Sequence, residues 1–320
     1  MASPRVYTTA GALTDLAKIF KEHFGKPFIR ALGEKVQLVK LFGTKSGEGH
    51  EAQWIVHYDR NNSAVFYKED DPFQEPGKQA YERARKPYKM ARITYGASGL
   101  AIAATKSDTA ALIRTLAEEA RRASIDLLYK IDGHLLNIDP NAVADEYARV
   151  EMDSLGDIVR DTGVYATIDR ATAPWWRSVV LANGGTPRAL TMGLFQQMRA
   201  ELEKPEREAD ISFILTSRVH FDQYGNLLED RRRWVNVTRA DGGFEALEYD
   251  SIPVMVIPRM QPGAMFFLDK RDWSYEVLLP FETQEIPVNT DREEYAIKTY
   301  ANLVCRNPGR QGAIRDLETT

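Results

Sequence analysis

The chain has 320 residues, 43% hydrophobic and 28% charged, the balance of an ordinary globular protein of one large or two modest domains, which excludes a disordered tail protein. Its 42 Lys and Arg against 46 Asp and Glu leave a formal charge of −4, too little basic excess for a dedicated sequence-specific DNA binder. The lone Cys305 allows no intramolecular disulfide and no cysteine-rich zinc site, as expected of a chain made in a reducing cytosol.

Met1 to Thr9 lacks the charged-then-apolar order of a signal peptide, and the apolar stretch Tyr95–Thr105 is too short to span a bilayer, so neither secretion nor membrane anchoring is expected. Leu13, Leu16, Ala17, Phe20 and Phe24 recur at helical spacing and predict a short amphipathic helix ended by Gly25 and Pro27. From Met1 to Lys40 this arm carries 7 Lys or Arg against 3 Asp or Glu, suiting either a solvated helical face or an arm lying along an acidic neighbour.

After the glycine-rich break Gly43–Gly49, Ala52, Trp54, Val56 and Tyr58 share one face of a predicted strand. Asp59–Ser63 is a turn signal, and Ala64–Tyr67 reads as the return strand. A polar stretch with Pro72 and Pro76 then leads to an alternating segment, Tyr81 to Tyr95, rich in Arg and Lys. A two-stranded ribbon is marginal alone in water, so an excursion of this kind needs another surface to lie on.

The clearest element is a long helix from an N-cap at Ser107 to Asn137, free of Gly and Pro between Thr109 and Asp132. Leu112, Leu116, Ala120, Leu127 and Ile131 form its packing stripe, and a rod on the order of 40 Å must pack across a sheet or a partner. Beyond it, Leu194, Phe195, Met198 and Leu202 mark a helix stopped by Pro205. Segments Ile211–Leu215, Ile252–Ile257, Ala264–Leu268 and Trp273–Leu279 read as strands. The texture is α+β, and Glu294–Val304, with Tyr295, Ile297, Ala301 and Leu303 on one face, is predicted as the final strand.

Motifs for chemistry are nearly absent. The five histidines, His23, His50, His57, His134 and His220, lack ligand spacing and read as surface residues. Neither Gly25-Lys26 nor Gly77-Lys78 completes a phosphate-binding loop, and Gly96-Ala-Ser98-Gly99 is one residue short of a nucleophile elbow. Glu69-Asp70-Asp71 reads as solvated charge rather than a metal site. Arg231–Arg233 beside Trp234 suits an anionic partner, or a surface loop balanced by Glu229 and Asp230. Trp175-Trp176 reads as one core and one half-buried aromatic. The emptiness argues against an enzyme and for no cofactor and no metal.

The order of parts is a short arm, a long extended excursion, a small-residue strand, a long helix, an α+β domain and a closing strand. With the stretches Tyr88–Ile102, Ser107–Asn137, Ser251–Pro258, Phe266–Asp269 and Tyr300–Pro308, it resembles the major capsid proteins of tailed bacteriophages with the Hong Kong 97 fold. The resemblance covers nearly the whole chain. It implies an N-terminal arm at 1–44, an extended loop at 45–89, a peripheral domain of 90–138 with 283–320, and an axial domain at 139–282. It also implies a structural, non-enzymatic subunit that assembles with itself into hexamers and pentamers of an icosahedral capsid around double-stranded DNA, contacted non-specifically. Inter-subunit contacts are then expected at Trp54, Phe66, Tyr67, Glu69, Asp70, Phe73, Arg83 and Arg85. Partners would include a separate scaffolding protein, a portal and a decoration protein, with no membrane. The place would be the virion, and the host cytoplasm during assembly. Two other readings stand beside it: a bacterial nanocompartment shell of the same fold, and a soluble hydrolase using carboxylates distant in sequence.

Overall fold

The computed structural model describes residues 37–100, 109–136, 147, 149–229, 246–287, 289 and 291–319. The amphipathic arm, the N-cap at Ser107 and the Arg231–Trp234 cluster lie outside the described residues.

The chain opens with a short helix, α1 (Gln37–Phe42), and a short strand, β1 (Thr44–Ser46). Strands β2 (Glu51–Asp59) and β3 (Ala80–Pro87) then pair antiparallel as a two-stranded ribbon. The return is therefore β3 and not Ala64–Tyr67, which is exposed, strand-free chain because its side chains meet no facing strand. The predicted segment Tyr81–Tyr95 is two strands, divided at Pro87–Tyr88, where proline withdraws a ladder donor. The second, β4 (Lys89–Ser98), alternates outward Met90, Arg92 and Thr94 with inward Ile93, Tyr95 and Ala97.

The long helix, α2 (Thr109–Leu135), follows. Leu116, Ala120, Leu127 and Ile131 are buried in one line, as their spacing predicts, while Arg121, Arg122, Asp126 and Lys130 face out. The side chain of Leu112 lies outside the described residues.

A capped turn, α3 (Leu155–Ile158), leads to the small hairpin β5 (Val164–Tyr165) and β6 (Ile168–Asp169). Its two-residue loop has φ of 52° at Ala166 and 67° at Thr167, the left-handed pair that the twist of a tight hairpin demands. Then come β7 (Val179–Leu181), α4 (Met192–Leu202), β8 (Phe213–Thr216), α5 (Arg218–Glu229), β9 (Ala246–Tyr249), β10 (Ile252–Val256) and β11 (Met265–Leu268). The chain closes with the long strands β12 (Trp273–Ile286) and β13 (Arg292–Cys305), and with β14 (Gly312–Ile314).

Two sheets organise these elements. One has four strands in the order β1-β12-β13-β4, with α2 across β4 and β13. The ladder of β12 with β13 shifts register between Val277 and Glu282, around Pro280, which has no N–H to donate. The other has six strands, β7-β14-β11-β8-β10-β9. Its central strands Phe-Ile-Leu-Thr and Met-Phe-Phe-Leu are buried at every position, so they read as continuous apolar runs. Phe213, Leu215, Phe266 and Leu268 point into a core shared with α2 and the four-stranded sheet. Ile214, Met265 and Phe267 point the other way, onto Phe195, Met198 and Leu202 of α4 and Phe221 and Tyr224 of α5.

Residue 282/283 falls inside the long strand β12, and residues 312–314 pair with β7 and β11 in the six-stranded sheet. Likewise Glu294–Val304 lies within β13 and is not the final strand. Among the described residues, no helix is long and apolar enough to cross a membrane.

Candidate assembly surface

The ribbon of β2 and β3 is anchored at its root and bare at its tip. On its inward face, Ala52 and Ala84 are buried, and Trp54 Nε1 donates to the Arg306 carbonyl at 3.0 Å. Tyr58 stacks on Trp175 with ring centroids 4.7 Å apart and planes within 2°. The strained β5–β6 turn also contributes, because the Ala166 carbonyl accepts from the Arg85 N–H at 3.1 Å.

Beneath the root lies a buried polar node. Lys86 Nζ is 3.0 Å from Asp153 Oδ1, and both side chains are almost wholly buried. Asn302 of β13 donates to Asp153 Oδ2 at 2.6 Å and to the Pro87 carbonyl at 2.9 Å, while its Oδ1 accepts the backbone N–H groups of Asp153 and Leu303. Arg149 pairs with Asp157 at 2.6 Å, and Asp157 closes a capping box with Ser154. Burial works against the Arg149 charge, but Asp157, Asp153 and Glu151 outweigh it and hold its pKa above the ordinary value. Lys89 Nζ donates to the Arg149 carbonyl. Lys86, Arg149, Asp153 and Asp157 each meet an opposite charge and Lys89 a backbone carbonyl, the conditions under which buried ions are tolerated.

The connection from Arg60 to Gln79 is the opposite case. Phe66 is 107% exposed, Phe73 102% and Tyr67 76%, with Glu69 and Asp70 exposed between them. Ile55 at 70% and Tyr81 at 58% continue this apolar character along the outward face of the ribbon, beside the exposed Arg83 and Arg85. A side chain such as Phe forfeits roughly 2–3 kcal/mol of burial when left in water, so a contiguous aromatic tip marks an interaction surface. Of the residues expected to meet a neighbour, seven are thus presented outward. Trp54 is the exception, because its ring packs against its own chain.

A further open surface is a groove of about 510 Å³ on the face of the four-stranded sheet turned away from α2, lined by Met90, Arg92, Ile286, Lys298 and Tyr300 among others. No group of three or more potential metal ligands occurs among the described residues. His220 corrects the expectation of surface histidines. It is fully buried, accepting the Gly263 N–H at Nε2 (2.7 Å), which leaves Nδ1 to donate to Gln223 Oε1 at 2.9 Å. Burial pushes its pKa down against the opposing Gln223 bond. Its place at the base of α5, facing a loop 43 residues away, has no sequence signature. Cys305 is buried, with its thiol pushed up by burial and then by Asp272, as in an inert structural cysteine.

Set against known proteins, residues 44–318 match the family described as SU10 major capsid protein. A search of curated proteins found no match. Among solved structures, the capsid of cyanophage A-1(L) is 15% identical with a TM-score of 0.65, over 88% of this chain and 93% of that one. The capsid of a native GTA particle is 11% identical at 0.57, over 90% and 91%. The SrpI encapsulin complex of Synechococcus elongatus PCC 7942 is 12% identical at 0.56, over 88% of each chain. At these identities the likeness is one of fold, and it is the Hong Kong 97 fold that the order of elements implied. The family match over most of the chain goes further: this protein belongs to the SU10 major capsid protein family and is a structural subunit of an icosahedral tailed-phage capsid.

Proposed function

We propose that the subunit builds hexamers and pentamers that close around double-stranded DNA, in the host cytoplasm, with a separate scaffolding protein, a portal and a decoration protein as partners. Its work in this reading is structural and not enzymatic. The observation that carries it is the bare aromatic tip of the ribbon, Phe66, Tyr67 and Phe73, on a root that is fully tied down. A tip that is stable only when covered, on an anchored stem, is what a subunit needs to bind a second copy, and burial between copies then drives closure. The formal charge of −4 suits non-specific DNA contact loose enough for release.

In this reading the arm is 1–44 and the extended loop 45–89, while the peripheral domain gathers 90–138 around the four-stranded sheet. The axial domain is the six-stranded sheet with its helices. Strand β12 begins where the two meet, and the chain returns to the axial sheet after Cys305.

Negative-stain electron microscopy with sedimentation, on the chain expressed alone and with candidate scaffolding proteins, tests the reading. Ring-like capsomers alone and closed shells with scaffold are expected. Shells that close without scaffold or DNA would favour the nanocompartment reading, and a monomer under every condition would overturn assembly altogether.

A further inference from the structure

The loop that carries the chain from β10 to β11, residues 257–263, is fastened at both ends to different parts of the molecule. At one end Arg259 lies on the long helix α2. Its guanidinium is 3.4 Å from the centre of the Tyr129 ring, and Nη1 donates to the Tyr129 carbonyl at 2.8 Å and stands 3.5 Å from Oδ2 of the buried Asp132. Gly133 makes room for this approach, because a Cβ there would stand 2.5 Å from Arg259 Nη2. Met260 beside it is buried in the core shared with α2. At the other end the Gly263 peptide is gripped on both sides: its N–H donates to His220 Nε2 at 2.7 Å, and its carbonyl accepts the Leu317 N–H at 3.1 Å. Gln223 of α5 braces the grip, accepting from His220 Nδ1 at 2.9 Å and donating to the Glu318 carbonyl at 3.1 Å. The loop thus spans from α5 and the C-terminal segment of the six-stranded sheet to the helix that covers the four-stranded one.

We propose that His220 is an acid-sensitive latch: while neutral it closes the 257–263 loop as a clasp between the six-stranded sheet and α2, and its protonation opens the clasp. A second proton has to sit on Nε2, which then meets the Gly263 N–H as donor against donor, in a site where the ring is fully buried and water cannot take up the charge. The charged groups on the surrounding segments are engaged elsewhere. On α5, Arg218 and Asp222 pair with each other at 3.1 Å on the surface. In the loop, Arg259 is turned to Tyr129 and Asp132. In the C-terminal segment, Arg315 donates to the Gly156 and Val159 carbonyls, Asp316 accepts the N–H groups of Asn183 and Gly185, and Glu318 is exposed. The end of β8 brings only the buried hydroxyls of Thr216 and Ser217. Burial therefore holds the ring neutral against the Gln223 bond, with its pKa below the ordinary 6.5. With the native value below the unfolded one, the latch contributes in full above that ordinary value and is lost as pH falls through the native one. Once Gly263 is released, the hold of Arg259 on α2 is no longer braced from α5, and the sheet is free to shift against the helix.

Hydrogen–deuterium exchange of the unassembled full chain, read by mass spectrometry from about pH 7.5 to 4.5 and corrected for the intrinsic rate, tests the latch. Peptides over 257–264 and over 129–135 should lose protection together, by about tenfold for each pH unit below the native pKa of His220, and regain it at neutral pH. His220→Gln places an amide oxygen where Nε2 stands and does not titrate, so its protection should stay level across the range. Arg259→Ala should expose the 129–135 peptides at neutral pH already. Histidine-selective nitrogen NMR of the wild type at neutral pH should find the His220 proton on Nδ1. A proton on Nε2, wild-type protection that does not change with pH, or an acid loss of the same size in the Gln variant would each overturn the proposal. The two wild-type readings do not depend on a variant folding, and none of the readings depends on whether shells close.

Discussion

Asp272 sits in the single helical turn Lys270–Asp272, where the chain leaves the six-stranded sheet for the four-stranded one, 3.7 Å from Arg310 in the turn that carries the chain back. Its Oδ2 is buried without a hydrogen-bond partner, and burial, opposed by Arg310, pushes the carboxyl from an ordinary 3.8 up to about 6. Between those values the folded state holds more protons than the unfolded state, so this group's contribution to stability falls as pH rises through the window. Asp272→Asn removes the buried charge. In denaturant titrations across about pH 4 to 7, the variant should lose that decline and exceed wild type at pH 7 by about 1–2 kcal/mol, the Arg310 attraction being already contained in the raised value. An unchanged pH slope would show that Asp272 is not the group responsible. None of this is legible locally, since Asp272 and Arg310 are 38 residues apart and only the two crossings between sheets bring them together. By contrast, Trp175 and Trp176 behave as read, half-buried and buried.

At the scale of elements, α2 is the part most fully determined by its own pattern. Leu116 is 0% and Leu127 3% exposed, both within the core shared by the two sheets. Leu116→Asp or Leu127→Asp should each abolish folding, because an unpaired carboxylate would be placed among apolar side chains. Leu127→Ala should cost about 2–5 kcal/mol, and the surface change Arg122→Ala under about 0.5 kcal/mol, as read by thermal or chemical unfolding. A soluble Leu116→Asp variant with unchanged unfolding would show the buried face to be elsewhere. The ribbon was legible only in part. Period-two burial placed Ala52, Trp54 and Val56 correctly, but strand pairing is non-local, so the true return at β3 had no marker near the turn at Asp59–Ser63. The strand Gly312–Ile314 was missed because 3 residues carry no measurable period.

For the whole molecule, anchored root and bare tip predict separable effects on folding and assembly. Deleting Asn61–Gln74 removes exposed, strand-free chain, so monomer stability should change little, while closed shells should be lost. Normal shells from that deletion, seen by electron microscopy, would remove the ribbon tip from the assembly surface. Sedimentation of the same preparations separates failed closure from failed folding.

Length, charge, the single cysteine, the uninterrupted helix and the order of parts were set by the sequence alone, since each depends on composition or on periods within a few turns of chain. The Hong Kong 97 fold and the capsid subunit were reached through the resemblance that the order of parts and the quoted stretches carry. Which residues join the two sheets, which histidine is buried, and how Lys86 meets Asp153 and Asn302 were decided only in three dimensions. Lys86 and Asn302 are separated by more than 200 residues, and no local pattern encodes a contact that exists only once β3, the 149–158 segment and β13 have packed.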